Sequence, residues 1–532
     1  MSPPGEAVRP YARGAIEVLF EEVDDQPTTT SVLGATLRGV EAEIVRIEVQ
    51  ARSGVPGTTI VGLPDSVVRE SRDRVRAAIV ASGFKYPPAK ILVSLAPAHT
   101  RKEGASLDLP IAVAVLAAGR HLPAERAAGC VLFGELSLDG GVRPVRGVLS
   151  AAIATRRAGL RRLLVPAEAA ASAAVIREVE SVPVSSLLQA ANFLAGREPL
   201  EPVAFDPAWM NGFDGSAGAG GEGDLADVVG QPAARRALLV CASGSHNLLL
   251  HGPPGCGKTL LARRLPGILP VPDLEEAIEI TRIQGAVVPL ASPLLRERPF
   301  RAPHHSISTP ALLGGGPNLR PGEISLAHGG ALFLDELLEF RREALEGLRQ
   351  PLEEGSVTIG RVRGCVTLPA DFVLVAAMNP CPCGWRGHPD KPCTCTPSVI
   401  RQYRGRLSGP LLDRFDLHVA MKPVEIDERD RPRGAAQSSA MRDAVARARA
   451  IQRERFAGLP WRTNARIPPG RIEEWCLPDA PGRALLRTAS ASLGLSMRAH
   501  HRVLRVSRTI ADLEGAPGVT GRHLAEALAY RS

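Results

Sequence analysis

No stretch of this 532-residue chain stays apolar for the roughly 18 residues that a membrane-spanning helix needs, so no bilayer span is expected. Met1 to Thr30 is polar, contains proline and lacks the apolar core of a secretory leader. It reads as a disordered lead-in (1–30), and the missing export signal points to the cytoplasm. The nine cysteines do not suit a secreted disulfide framework, because four of them crowd into residues 381–395. No internal repeat is visible, which speaks against a solenoid.

What is present is ordinary for a globular chain, at 45% hydrophobic and 23% charged residues. The length suggests about three domains. Net charge is +8, mostly carried by arginine. That suits a polyanion partner, but a GC-rich genome would produce the same composition.

Residues 31–203 alternate strand-like and helical runs. Ala42–Val49 and Ile91–Leu95 read as strands, Asp65–Ser82 as an arginine-rich helix and Pro110–Ala118 as an apolar one. A linker follows (204–223), glycine-rich from Asn211 to Gly223, with nothing to bury. A second α/β region runs over 224–423, a charged linker over 424–440, and a helical region over 441–532. Its helical patterns are Met441–Phe456, Ala484–Leu493 and Met497–Glu514.

The central region carries the chemistry. Gly252-Pro253-Pro254-Gly255-Cys256-Gly257-Lys258-Thr259 sits between the apolar run Leu248–Leu250 and the helix-like Leu260–Leu265. A phosphate-binding loop needs this strand–loop–helix setting. Glycines permit the turns, backbone N–H groups and the helix start face the phosphates, Lys258 reaches the β- and γ-phosphates, and Thr259 meets Mg²⁺. Asp335 and Glu336 end the apolar strand that starts at Ala331, about 75 residues beyond the loop. This is a Walker B arrangement, with Asp335 for Mg²⁺ and Glu336 for the attacking water. Carboxylates after a strand also serve as plain helix caps. Asn379 ends a further strand, Phe372–Met378, where its amide could orient that water; Asn379-Pro380 is also a turn signal. Arg414, within Leu411–Asp416, is a candidate arginine finger for a neighbouring subunit, or a surface partner of Asp413 or Asp416. Cys381, Cys383, Cys393 and Cys395 form two close pairs suited to a closed structural Zn²⁺ site, with His388 as a substitute ligand; free thiols or a redox-sensitive loop are the alternatives.

Together, Gly252–Thr259, Leu332–Glu336, Asn379 and Leu411–Phe415 resemble an AAA+ ATPase. Arg298–His305 and Gly314–His328 resemble its magnesium-chelatase branch. Val61–Asp65, Lys102–Pro110 and Gly134–Ser137 resemble the Lon-protease-like N-terminal domain of the ComM/YifB proteins within that branch. The resemblance implies an α/β fold class in three parts: a Lon-protease-like α/β domain, a P-loop αβα domain and an all-helical lid. It also implies Arg414 as the trans finger, Arg498 as the sensor-2 arginine, and the hairpin Val357–Leu368 carrying Arg361 and Arg363 toward a central pore.

The implied function is a ring, expected to be a hexamer, that uses ATP and Mg²⁺ to translocate DNA in branch migration during recombination and natural transformation. A magnesium-chelatase motor and a protein-remodelling ATPase are the alternatives. Proteolysis is disfavoured. Ser106 matches the Lon serine segment, but Leu149 stands where the Lon lysine would align, and Lys102 is only four residues away on the same segment.

Overall fold

The computed structural model describes residues 28–206, 209, 223–316, 319–361, 364–423 and 437–531. The lead-in up to residue 27, most of the two linkers (207–208, 210–222 and 424–436) and Arg363 lie outside the described residues.

The first strand, β1 (Thr28–Arg38), begins three residues inside the expected lead-in and pairs antiparallel with β2 (Glu41–Arg52) along its whole length. Val45, Ile47 and Val49 of β2 face the core at the two-residue period of a strand. Five more strands complete a mixed sheet: β3 (Gly57–Val61), β4 (Lys90–Ala96), β5 (Cys130–Leu132), β6 (Arg162–Pro166) and β7 (Glu180–Val184), in the order β3-β4-β2-β1-β5-β6-β7. Against it lies the helix Asp108–Ala118, whose 11 residues are all buried, the outcome expected of a helix apolar on every side. The arginine-rich helix is Ser66–Ala81, capped by Asp65, whose carboxylate accepts from the Val68 amide at 2.8 Å. Its Arg74 crosses to the buried Asp108 at 2.8 Å.

The central sheet is built from β8 (Leu248–His251), β9 (Phe300–Arg301), β10 (Ala331–Leu334), β13 (Val373–Met378) and β14 (Leu417–Ala420). Its order is β9-β10-β13-β8-β14, and every pairing is parallel. Strands buried on both faces read as continuous apolar runs, as Ala331–Leu334 does. Parallel order aligns the carboxyl ends of β8, β10 and β13, where open α/β sheets bind ligands. Between β10 and β13 rises the hairpin β11 (Ser356–Arg361) and β12 (Gly364–Pro369), paired from Ser356↔Pro369 to Arg361↔Gly364.

The last part is helical: Gln437–Arg455, Ala480–Leu493, Met497–Leu513 and Gly521–Ala529 are its longer helices. The first starts at Gln437, so the final residues of the expected linker are helical. Asp224 joins two described stretches, those that begin at Gly223 and at Gln437. Its carboxylate accepts from the amides of Ala226, Gln437 and Ser438 at 2.7, 3.0 and 3.2 Å. Burial pushes its pKa up, but these three bonds outweigh that and bring it down to about 2.

The N-terminal domain grips the central one. Val40 shares a core cluster with Val357, Val366 and Leu368 of the hairpin, and Arg38 Nη2 donates to the Cys365 carbonyl at 3.3 Å. Gly39 fits there only without a side chain, since a Cβ would lie 2.8 Å from Val366. Arg282 reaches Glu41 at 2.6 Å, and Leu149 packs in a cluster with Ala277 and Leu294.

Candidate nucleotide site and cysteine cluster

The loop after β8 turns at Gly255 (φ 78°) and Gly257 (φ 90°), both in the left-handed region that a side chain disfavours. Gly252 is held by space, because a Cβ there would sit 2.3 Å from the Met421 carbonyl oxygen. The loop delivers Lys258 to the start of a helix, Lys258–Ala262. Its ammonium donates to the Gly252 and Pro253 carbonyls at 2.7 and 2.9 Å and to Asn379 Oδ1 at 3.2 Å. Burial pulls the Lys258 pKa below 10.5, against the opposing pull of Cys256, Asp335 and Glu336. Thr259 Oγ1 donates to Asp335 Oδ2 at 2.7 Å. The ends of β8, β10 and β13 therefore meet through Lys258–Asn379 and Thr259–Asp335.

Glu336 follows β10 in the left-handed region (φ 50°, ψ 49°), a rare place for a residue with a Cβ and typical of functional turns. Its amide donates to Asp335 Oδ1 at 2.9 Å, and its carboxylate lies 3.4 Å from His305 Nδ1. His305 stacks 4.0 Å from the His304 ring. Sequence reasoning gave His305 no role; the paired histidines just beyond β9 were the available signal.

The structure does not bring Arg414 and Arg498 to this crevice within one chain. Arg414 is only 4% exposed. Its guanidinium donates to the Arg349 carbonyl at 3.3 Å, to the Pro410 carbonyl at 2.5 Å and to the Glu353 carboxylate. Neither expected surface partner, Asp413 or Asp416, holds it. Asp416 is largely enclosed, 3.6 Å from His246 and 3.3 Å from Arg502, which hold it ionised well below the usual range against desolvation. Arg498 Nη2 lies 3.7 Å from the same Glu353 oxygen. Glu353 thus faces both arginines.

The four cysteines converge. Sγ of Cys381, Cys383 and Cys393 lie 3.4–3.6 Å apart, and all four sulfurs fall within 4.8 Å of one another. Four thiolates about 2.3 Å from a tetrahedral Zn²⁺ stand about 3.8 Å apart, so the set fits that ion. The Trp385 amide is the main influence drawing the Cys383 thiol down, while at Cys393 and Cys395 the pull of backbone amides is outweighed by the neighbouring sulfurs, which push both up, so without an ion the cluster favours one thiolate shared among thiols. His388 is not part of the set; its Nδ1 accepts from the amides of Asp390 and Lys391 at 3.1 and 3.2 Å. The cysteine loop rests on the glycine-rich loop after β8: a Cβ on Gly384 would lie 2.7 Å from the Pro254 ring.

Ser106 and Lys102 do not meet. Ser106 Oγ donates to the Ala35 carbonyl at 3.1 Å, while the Lys102 ammonium is buried on the carbonyls of Pro97 and Thr100.

Residues 224–429 match the family model described as magnesium chelatase, subunit ChlI; 47–169 match that of subunit ChlI of Mg-chelatase; 435–531 match its C-terminal model. The chain is 44% identical to competence protein ComM of Haemophilus influenzae over 500 residues, covering 93% of this chain and 96% of that protein. To the uncharacterized protein YifB of Salmonella typhimurium it is 43% identical over 499 residues, 93% and 95% of the two chains. The chain belongs to the ComM/YifB family. ComM/YifB membership makes it a magnesium-chelatase-like AAA+ protein with ATPase activity, of mixed α/β fold with a C-terminal helical domain. A Lon protease of Brucella abortus is 26% identical over 202 residues, 36% of this chain and 24% of that one. The magnesium-chelatase 38 kDa subunit of Rhodobacter capsulatus is 26% identical over 324 residues, 56% of this chain and 83% of that one, whereas ComM and YifB each match over 93% of this chain. AAA+ proteins of this kind are typically oligomeric, and no helix among the described residues is long and apolar enough to cross a membrane.

Proposed function

We propose that the protein is a ring-forming motor, a hexamer by resemblance, that couples ATP hydrolysis to movement along DNA, with branch migration in recombination and natural transformation as its task. The carrying observation is the closure of Lys258, Thr259, Asp335 and Asn379 on one crevice at the ends of three parallel strands. In this reading Gly252–Thr259 cradles the triphosphate, and Thr259 with Asp335 holds Mg²⁺, which would neutralise charge on the β- and γ-phosphates. Glu336 takes the proton of the attacking water, and Asn379 orients that water. Arg414 and Arg498 serve the nucleotide of the adjacent subunit. Arg361, the last residue of β11, and Arg363, by resemblance, meet DNA phosphates. The competence relative supports DNA as the substrate, and the +8 charge agrees.

The four cysteines hold a structural Zn²⁺, on their mutual spacing. Metal analysis of reduced protein checks this: one zinc per chain is expected, and none removes the assignment.

The deciding experiment is the steady-state ATPase rate with and without single-stranded, duplex and four-way-junction DNA at moderate salt. Stimulation, greatest with the junction, is the expected result. A rate indifferent to DNA overturns the DNA reading and leaves the chelatase motor, favoured by the family models, or a protein remodeller.

A further inference from the structure

The unexplained group at the ATPase core is Glu353. Its carboxylate holds Arg414, and Arg498 stands 3.7 Å from the same oxygen. Arg414's other two acceptors are neutral carbonyls, so Glu353 is the charged partner it would exchange for a phosphate. At 4% exposure, Arg414 cannot meet a neighbouring subunit while that pair persists. Glu353 closes the short helix Arg349–Glu354, and only Glu354 and Gly355 separate it from the first strand of the hairpin, which starts at Ser356. Gly355 bends the chain there in the left-handed region (φ 67°) and is fastened to Ala370 beyond the second strand, whose amide donates to its carbonyl at 2.8 Å. From the C-terminal domain, Arg466 donates to the Leu352 carbonyl at 3.0 Å. The carboxylate is therefore mounted at the base of the hairpin, on a turn that the helical domain also touches.

We propose that Glu353 is a positioning residue that latches Arg414 and Arg498 in a resting arrangement, and that displacement of the hairpin base by DNA releases them to the adjacent subunit's γ-phosphate. This rests on the reading of Arg414 as a trans finger and of the hairpin as the DNA contact. Glu353 touches neither nucleotide nor water; it sets when the arginines become available. Its side chain is 48% exposed although Arg414 is buried, so solvent screens one half of the pair and the pair is of modest strength.

The test is Glu353→Gln in the full-length protein, with ATPase kinetics measured with and without four-way-junction DNA, beside thermal unfolding. Basal kcat should rise about fivefold, the worth of a half-exposed ion pair. KM for ATP and Tm should stay unchanged, and the stimulation by DNA should shrink by the same factor. A basal kcat at or below that of the natural protein, with Tm unchanged, overturns the latch. If Tm falls, Glu353→Asp decides: the charge is kept but withdrawn by one methylene, so raised basal turnover supports the latch, and turnover at or below the natural level overturns it. Arg414→Ala in the same assay separates the two ideas. Normal hydrolysis by Arg414→Ala removes the finger reading and the latch together, whereas an inactive Arg414→Ala beside an unaltered Glu353→Gln removes the latch alone.

Discussion

Lys258 and Lys102 are both lysines whose pKa burial draws below 10.5, and both spend protons on backbone carbonyls of their own loops. Each also sits in a segment that resembles a catalytic motif. The difference is convergence. Three parallel strands end at Lys258 and bring Asn379, Asp335 and Thr259 to it and to one another. The Lys102 ammonium donates to carbonyls of its own loop, and the serine four residues on is bonded elsewhere. A depressed lysine is therefore not evidence of chemistry until a second strand delivers it a partner.

The comparison breaks first at Lys258. Lys258→Ala should lower ATPase by about a hundredfold to a thousandfold, the scale of losing one preorganised donor to developing charge, with loss of nucleotide binding by fluorescence titration. Lys102→Met should leave the ATPase rate intact, and equal loss in both variants would erase the distinction. Glu336→Gln should keep ATP bound while hydrolysis falls by about a hundredfold or more, as expected for a lost general base; single-turnover kinetics distinguishes this from weakened binding. Leu149→Lys, which restores the residue type of the Lon position, should destabilise by about 2–4 kcal/mol in denaturant titration without creating proteolysis, because Leu149 is buried against the central domain. A subtler effect is linked to pH. The folded pKa of Lys102 lies below its unfolded value, so between the two the unfolded chain binds more protons and stability rises with pH. Lys102→Met should flatten that rise, read from unfolding midpoints near neutrality and just under pH 10.5. Smallest of all, Ser106→Ala should leave the ATPase rate unchanged and shift stability by about 1 kcal/mol, the worth of its bond to Ala35.

The convergence of the glycine-rich loop, Asp335, Asn379 and the four cysteines was legible because each is local: a short run whose glycines, carboxylates or thiols announce their geometry. The strands and helices around them fell close to their expected bounds for the same reason. What was hidden is contact at long range. Glu353 and Arg414 are 61 residues apart, and Glu353 and Arg498 are 145 apart, so no spacing rule connects them. His305 reaches Glu336 from the turn beyond β9. Arg414 was open between a finger and a pair with Asp413 or Asp416; the carboxylate that holds it comes from a distant helix. Likewise Leu149 marks in sequence only a missing lysine, whereas its packing against Ala277 and Leu294 is a docking contact that pairs two domains.

The grip of Arg38, Gly39 and Val40 on the hairpin has a mechanical meaning. A seven-stranded sheet is bolted to the hairpin of the central domain, so the hairpin carries ballast. Any stroke it makes must either drag that mass along or shear the joint at Gly39. On the proposed motor reading, stiffening or loosening this single glycine would then act on step size and load tolerance, quantities that a single-molecule pulling experiment resolves and a bulk turnover rate averages away.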